Sequence, residues 1–166
     1  MKNNQLMIYG AYGYAGELMV REAVAQGLRP IIAGRDDEKL KPIATELSLE
    51  CRAFGVRNTG SNLQDISVLL NCAGPFSATA EPLARACLAQ QIHYLDITGE
   101  IDIFRKCHAL DEEARQQNVL ILPGAEPTSC QPTVWRRCLR RNCPSPRASI
   151  WLSRSAPIRV SARSTP

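Results

Sequence analysis

Tyr9 to Val20 read Y-G-A-Y-G-Y-A-G-E-L-M-V, directly behind the apolar run Gln5-Leu6-Met7-Ile8. This spacing describes a strand that turns into a helix around a phosphate. Gly10 suits the tight turn that ends the strand, Gly13 leaves bare backbone for a pyrophosphate to approach, and Gly16 lets the helix lie close to the sheet. The free N–H groups of the helix start, among Tyr12, Tyr14 and Ala15 between those glycines, then face the anion, and the helix dipole adds attraction.

Glycines spaced by three also occur in ordinary turns, so a second stretch has to support the first. Ile31-Ile32-Ala33-Gly34-Arg35-Asp36 reads as a second strand, ending about twenty residues past the last loop glycine, where a dinucleotide-binding unit places its ribose-reading residue. Arg35 stands there in place of a carboxylate. A guanidinium can fork onto a 2′-phosphate and stack beside an adenine, which favours NADP as cofactor. NAD stays open, because Asp36 could take the ribose hydroxyls instead. The plainer reading is a solvated Arg35, with Asp36 as the N-cap of the next helix and Asp37 and Glu38 in its first turn.

The 166 residues have room for one domain with a useful core and for no second full domain. Met1-Lys2-Asn3-Asn4-Gln5 is polar and leads straight into a strand, and no apolar run approaches the length of a membrane span. No secretory signal and no membrane partner are therefore expected, and the default location is cytoplasmic. None of the seven cysteines forms a C-x-x-C pair, and neither His93 nor His108 is spaced with them as zinc ligands would be. All seven read as free thiols, with no metal. The net charge of +4 hides a split, since residues 127–166 hold eight arginines and no acid, leaving 12 basic and 16 acidic side chains on the other 126 residues.

Apolar runs and amphipathic stretches alternate up to about residue 123. Strands are expected at 5–9, 29–33, 50–54, 68–72, 93–96 and 119–122, and helices at 13–26, 37–47, 81–90 and 101–117, with a weak helical turn near 63–66. In the last helix Ile101, Phe104, Cys107 and Ala114 fall on one face. The fold class that follows is α/β, a doubly wound, mostly parallel six-stranded Rossmann sheet over residues 1–124. Ligands bind beyond the carboxyl ends of such strands. One later loop, Asn71-Cys72-Ala73-Gly74-Pro75-Phe76, offers Ala73 and Gly74, small enough to pass beneath the second half of a dinucleotide. Another, Asp96-Ile97-Thr98-Gly99-Glu100, offers Thr98 and Glu100 as helix caps or as substrate contacts.

Four segments, Y-G-A-Y-G-Y-A-G, A-G-R-D-D-E-K-L, N-C-A-G-P-F and Y-L-D-I-T-G-E, occur in an order and spacing that resembles the nucleotide-binding half of the saccharopine dehydrogenase-like proteins, including the trans-acting enoyl reductases. The resemblance covers about residues 5–123. It implies a Rossmann domain that binds NAD(P)H for hydride transfer, followed in complete members by a second domain bearing much of the substrate site. Tyr12 departs from the pattern, which commonly has a small residue there, and narrows the loop.

From Pro127 onward the chain has eight arginines, seven serines, six prolines and both tryptophans. No strand or helix period is visible, so residues 125–166 are expected to form a disordered basic tail. Permitted codons for Pro127 to Arg137, displaced by two nucleotides, can spell D-V-V-P-T-D-C-L-A-A, close to the continuation in relatives. A frameshift near Ala125 that replaced the second domain is therefore expected.

The leading expectation is an NAD(P)-dependent oxidoreductase, truncated, with no catalytic residue assigned and its substrate unknown. One alternative is a non-catalytic NADP(H)-binding or sensing module. The other is a basic-tailed, nucleic-acid-associated protein. The tail's arginines show no repeat, so no specific nucleic-acid partner is expected. The oligomeric state is left open.

Overall fold

The computed structural model describes residues 5–125. The tail from residue 126 onward, and with it the expected frameshift and disorder, lies outside the described residues.

The elements follow as β1 (Gln5–Tyr9), α1 (Tyr14–Ala25), β2 (Ile31–Gly34), α2 (Asp37–Leu47), β3 (Cys51–Ala53), a short 3-10 turn (Gly60–Leu63), β4 (Ile66–Asn71), α3 (Phe76–Ala89), β5 (His93–Asp96), α4 (Ile101–His108), α5 (Asp111–Gln116) and β6 (Ile121–Leu122). Six strands make one sheet in the order β3-β2-β1-β4-β5-β6. Every pairing is parallel, with Met7 beside Ile31 and Leu69, and Leu70 beside Leu95. The order reverses between β1 and β4, and that crevice is where a sheet of this topology takes its ligand.

Parallel strands sit between layers and so read as continuous apolar runs. Met7, Tyr9, Ile31, Leu69 and Tyr94 face one layer, closed by Leu83, Ala84, Cys87 and Leu88 of α3 and by Ile103 and Cys107 of α4. Ile8 and Ile32 face the other, closed by Val20 and Ala23 of α1 and by Leu40 and Ile43 of α2. The Asp36 carboxylate accepts from the Lys39 N–H and caps α2, and Ser48 ends that helix in the left-handed region at φ 52°.

Two helices differ from the sequence expectation. α3 begins at Phe76, not Glu81, and runs through Pro82. The proline removes one backbone bond, but the stripe Thr79, Ala80, Leu83, Ala84, Cys87 and Leu88 is buried on both sides of it, and that packing carries the helix across. The expected helix 101–117 is broken between Ala109 and Leu110. Its buried stripe is Ile103, Cys107, Leu110 and Ala114, while Ile101 is 69% exposed and Phe104 38%. Both stripes have helical spacing. Cys107 and Ala114 are buried as expected, and Ile103 and Leu110 join them in the core in place of Ile101 and Phe104. Phe104 instead lies over Gly124, where an added Cβ would strike its ring.

α1 presses on the end of β1 through Gly16, where a Cβ would collide with the Gly10 carbonyl and lie 3.0 Å from the Ala11 Cα. Both obstacles are backbone, which cannot rotate aside. Gly16→Ala is expected to lower stability by about 1–3 kcal/mol, read as a fall in the denaturant midpoint. An unchanged midpoint would mean the helix can retreat from the strand.

Candidate dinucleotide site

The loop between β1 and α1 is a compact backbone turn. Gly10 has φ +83°, in the region that favours glycine. Its N–H and that of Ala11 both donate to the Ala33 carbonyl, at 2.7 and 3.1 Å, and the Gly13 N–H donates back to the Gly10 carbonyl at 3.0 Å. Gly13 is extended and is the N-cap of α1, with no side chain capping the helix. The first-turn N–H groups of Tyr14, Ala15 and Gly16 therefore keep the donor capacity that every helix start has, and the dipole makes that end attractive to an anion.

The second strand-end loop touches the first. A Cβ on Gly10 would lie 2.7 Å from the Ala73 N and 2.9 Å from its Cα, whereas one on Gly74 would meet nothing within 4 Å. Gly10, Gly13, Gly16 and Ala73 thus converge at the β1–β4 switch point, with Gly74 beside them facing open space. Tyr14 is 86% exposed.

At the end of β2, Arg35 is exposed and its guanidinium makes no ion pair among the described residues. Asp36, in contrast, is occupied. Its carboxylate takes the Lys39 N–H at 3.3 Å and the Lys39 ammonium at 3.2 Å, and these bonds hold it below the usual carboxylate range. The Tyr12 ring lies on Gly34, where a Cβ would come within 2.6 Å of its Cε1.

The ends of β4 and β5 carry a buried polar network that the sequence analysis quoted without assigning. Asn71, 0% exposed, accepts from the Ala73 N–H at 3.0 Å and donates to Thr79 Oγ1 and to the Tyr94 hydroxyl. Tyr94 donates to Asp96 Oδ2 at 2.9 Å. Asp96 Oδ1 accepts from the N–H groups of Thr98 at 3.0 Å and Gly124 at 2.9 Å. Burial first, and then the Asp96 charge, push the Tyr94 phenol well above its ordinary range. The network ties the loop under Gly10 to the chain's exit from β6. The sequence signal was a polar residue closing each apolar run, V-L-L-N and H-Y-L-D.

Thr98 is buried, and its hydroxyl accepts from the Glu100 N–H at 3.1 Å. Glu100 is the exposed N-cap of α4, and its side chain makes no capping bond. Of the two expected caps, Thr98 braces the loop and Glu100 caps with its backbone alone.

Residues 6–122 match the family model described as the saccharopine dehydrogenase NADP binding domain. The saccharopine dehydrogenase-like oxidoreductase of Rattus norvegicus is 26% identical over 141 residues, covering 71% of this chain and 33% of the relative. The chain thus spans about a third of that relative's length. Among solved structures, apo saccharopine dehydrogenase from Saccharomyces cerevisiae superposes with a TM-score of 0.66 at 10% identity, over 84% of this chain and 31% of the other. GenD2 from gentamicin A biosynthesis, in complex with NAD, gives 0.58 at 16% identity, over 84% and 39%. At these identities the superpositions show the fold.

Asp96→Ala removes an acceptor from two N–H groups and a phenol that water cannot reach. A loss of about 3–5 kcal/mol is expected, against about 1–2 kcal/mol for Tyr94→Phe, both read by denaturant titration. The thiols give an independent check on burial. Cys51, Cys72, Cys87 and Cys107 are all free. Burial pushes the last three up to about 12, with Asp96 adding to Cys72 and Cys107. Only about one in ten thousand of each is thiolate at pH 8. Peptide mapping after alkylation of the native chain at that pH should find these three unlabelled and half-buried Cys51 labelled. Early labelling of Cys72 would contradict a closed β4 loop.

Proposed function

The chain belongs to the family of the saccharopine dehydrogenase NADP binding domain, and on that premise we propose that it holds NADP(H) for hydride transfer, as the nucleotide-binding part of an oxidoreductase. Gly10, Tyr12, Gly13, Tyr14, Ala15 and Gly16 are the proposed pyrophosphate loop, Arg35 reads the adenosine ribose, and Ala73 and Gly74 lie beneath the nicotinamide half. The uncapped start of α1 and the open space at Gly74 fit such a ligand. The bound nicotinamide supplies or accepts the hydride. The protein's part is to grip the phosphates through backbone N–H groups and to hold the rest of the molecule over the strand ends.

One observation supports NADP over NAD. The carboxylate that could take ribose hydroxyls, Asp36, is held by Lys39 at 3.2 Å, while the guanidinium beside it has no ion-pair partner among the described residues. An unpaired cation with a neutralised acid favours a phosphate over a diol.

The proposed nucleotide-binding domain closes at residue 124, and the proposed location is cytoplasmic. Among the described residues no helix is long and apolar enough to cross a membrane. No catalytic residue is assigned within this domain, and turnover by the domain alone is not proposed, because substrate orientation is worth about 7–11 kcal/mol of a barrier.

Titration of the chain with NADPH and NADH, followed by nicotinamide fluorescence, tests the reading. NADPH should bind at least about tenfold more tightly, and Arg35→Ala should erase about that factor. Gly13→Val should abolish binding of both; its Cβ would press on the Gly10 carbonyl at 3.3 Å, so a lowered melting temperature is expected with it, and a cooperative melting transition checks that the variant is folded when binding is measured. Equal affinities would overturn the NADP preference, and no binding of either would overturn the dinucleotide reading itself.

A further inference from the structure

Ala73 packs on the glycine turn and leads to the open space at Gly74, and both of its backbone polar groups are taken up from inside the protein. Its N–H donates to Asn71 Oδ1 at 3.0 Å, and its carbonyl accepts from Thr79 Oγ1 at 2.6 Å. The Asn71 amide has only one way round. Its Nδ2 donates to the Tyr94 hydroxyl at 3.1 Å and to Thr79 Oγ1 at 3.2 Å. Tyr94 gives its one hydroxyl proton to Asp96 Oδ2 at 2.9 Å, and it keeps that proton because burial first, and then the Asp96 charge, raise its phenol. The phenol oxygen can therefore only accept from Asn71, which turns Nδ2 towards Tyr94 and leaves Oδ1 for Ala73. Thr79 is fixed in the same way, since its proton goes to the Ala73 carbonyl at 2.6 Å, nearer than the Pro75 carbonyl at 3.4 Å. Gly74, in contrast, is exposed, and its N–H donates to nothing among the described residues.

We infer that Asn71 and Thr79 are positioning residues for the nicotinamide half of the dinucleotide, acting through Ala73, and that Tyr94 holds Asn71 in the orientation this needs. The inference rests on the NADP(H) reading above and goes beyond it by assigning a role to buried side chains. With its N–H and carbonyl both turned into the protein, Ala73 presents no hydrogen-bonding group to a ligand, and the first backbone donor the loop offers is that of Gly74. Without the Asn71 acceptor the Ala73 N–H is left unpaired close to Gly10, and its peptide plane turns to find another partner. The surface under the nicotinamide half then loses its single orientation. The pyrophosphate turn keeps its own bonds, from the Gly10 and Ala11 N–H groups to Ala33 and from the Gly13 N–H to Gly10. The loss is therefore confined to the part of the ligand above Ala73 and Gly74.

The full chain is titrated with NADPH and with 2′,5′-ADP, which carries the adenosine end and no nicotinamide. Asn71→Ala and Thr79→Val are each expected to weaken NADPH by about tenfold and 2′,5′-ADP by less than about twofold. Thr79→Ser, which keeps the hydroxyl, should retain the parent affinity for both. Tyr94→Phe removes a hydroxyl that bonds Asn71 and not the loop, and should show the same selective loss at about threefold. A cooperative melting transition checks that each variant is folded; if Asn71→Ala is not, the Thr79 pair decides alone. Equal weakening of NADPH and 2′,5′-ADP would make the network a brace for the whole end of the sheet and overturn the proposal, as would equal NADPH affinities of Thr79→Val and Thr79→Ser. NADPH binding like the parent's in every variant would sink the positioning role and leave the NADP(H) reading standing; binding of neither ligand by the parent chain would sink both.

Discussion

The nucleotide end of the sheet depends on one close approach, that of Gly16 to the carbonyl of Gly10. Helix and strand backbones there are separated by less than a methyl group would need. Such contact fixes the direction in which α1 leaves the sheet, and with it the aim of the first-turn N–H groups. The Gly10 N–H donates to Ala33 and the Gly13 N–H returns to Gly10, so the turn is locked to β2 as well. Ala73 then closes on Gly10 from the β4 side. Three strand ends are held in register by contacts of bare backbone, which lose little side-chain entropy on folding and leave the space above them for a ligand.

The price of building a crevice across strand ends is that polar groups are buried beside it. Asn71 and Asp96 close their strands at 0% exposure, and a buried carboxylate is tolerable only with its acceptors filled. Here they are filled by Thr98, Gly124 and Tyr94. Because the donors come from the loop after β5, the exit of β6 and the middle of β5, the same bonds that satisfy the charge also brace the loops.

The sheet was legible in the sequence because its strands are apolar runs separated by helices of clear period, and β1, α2 and β5 have the expected bounds. The glycine positions were legible because the need for φ above zero at Gly10 and for close packing at Gly16 leaves few alternatives. What was not legible came from tertiary contact. In the 101–117 segment the expected stripe was right at Cys107 and Ala114, but Ile103 rather than Ile101 meets the core, a choice made by packing within the cluster that also holds α3 and β5 side chains. The third helix was expected only from residue 81, whereas a long buried stripe carries it from Phe76 through Pro82. Tyr12 read as a narrowing of the loop, and its contact with Gly34 and Lys39 joins residues far apart in the chain.

The two hydrogen bonds that Asp96 takes at the end of β6, from Gly124 through its carboxylate and from Ala125 through its carbonyl, fix the point at which the described chain leaves the sheet. The anchor lies at the carboxyl end of β5, the neighbour of β4 in the sheet. One buried side chain thus does two jobs there, since the carboxylate that braces the β5 loop also sets the direction in which the backbone leaves β6.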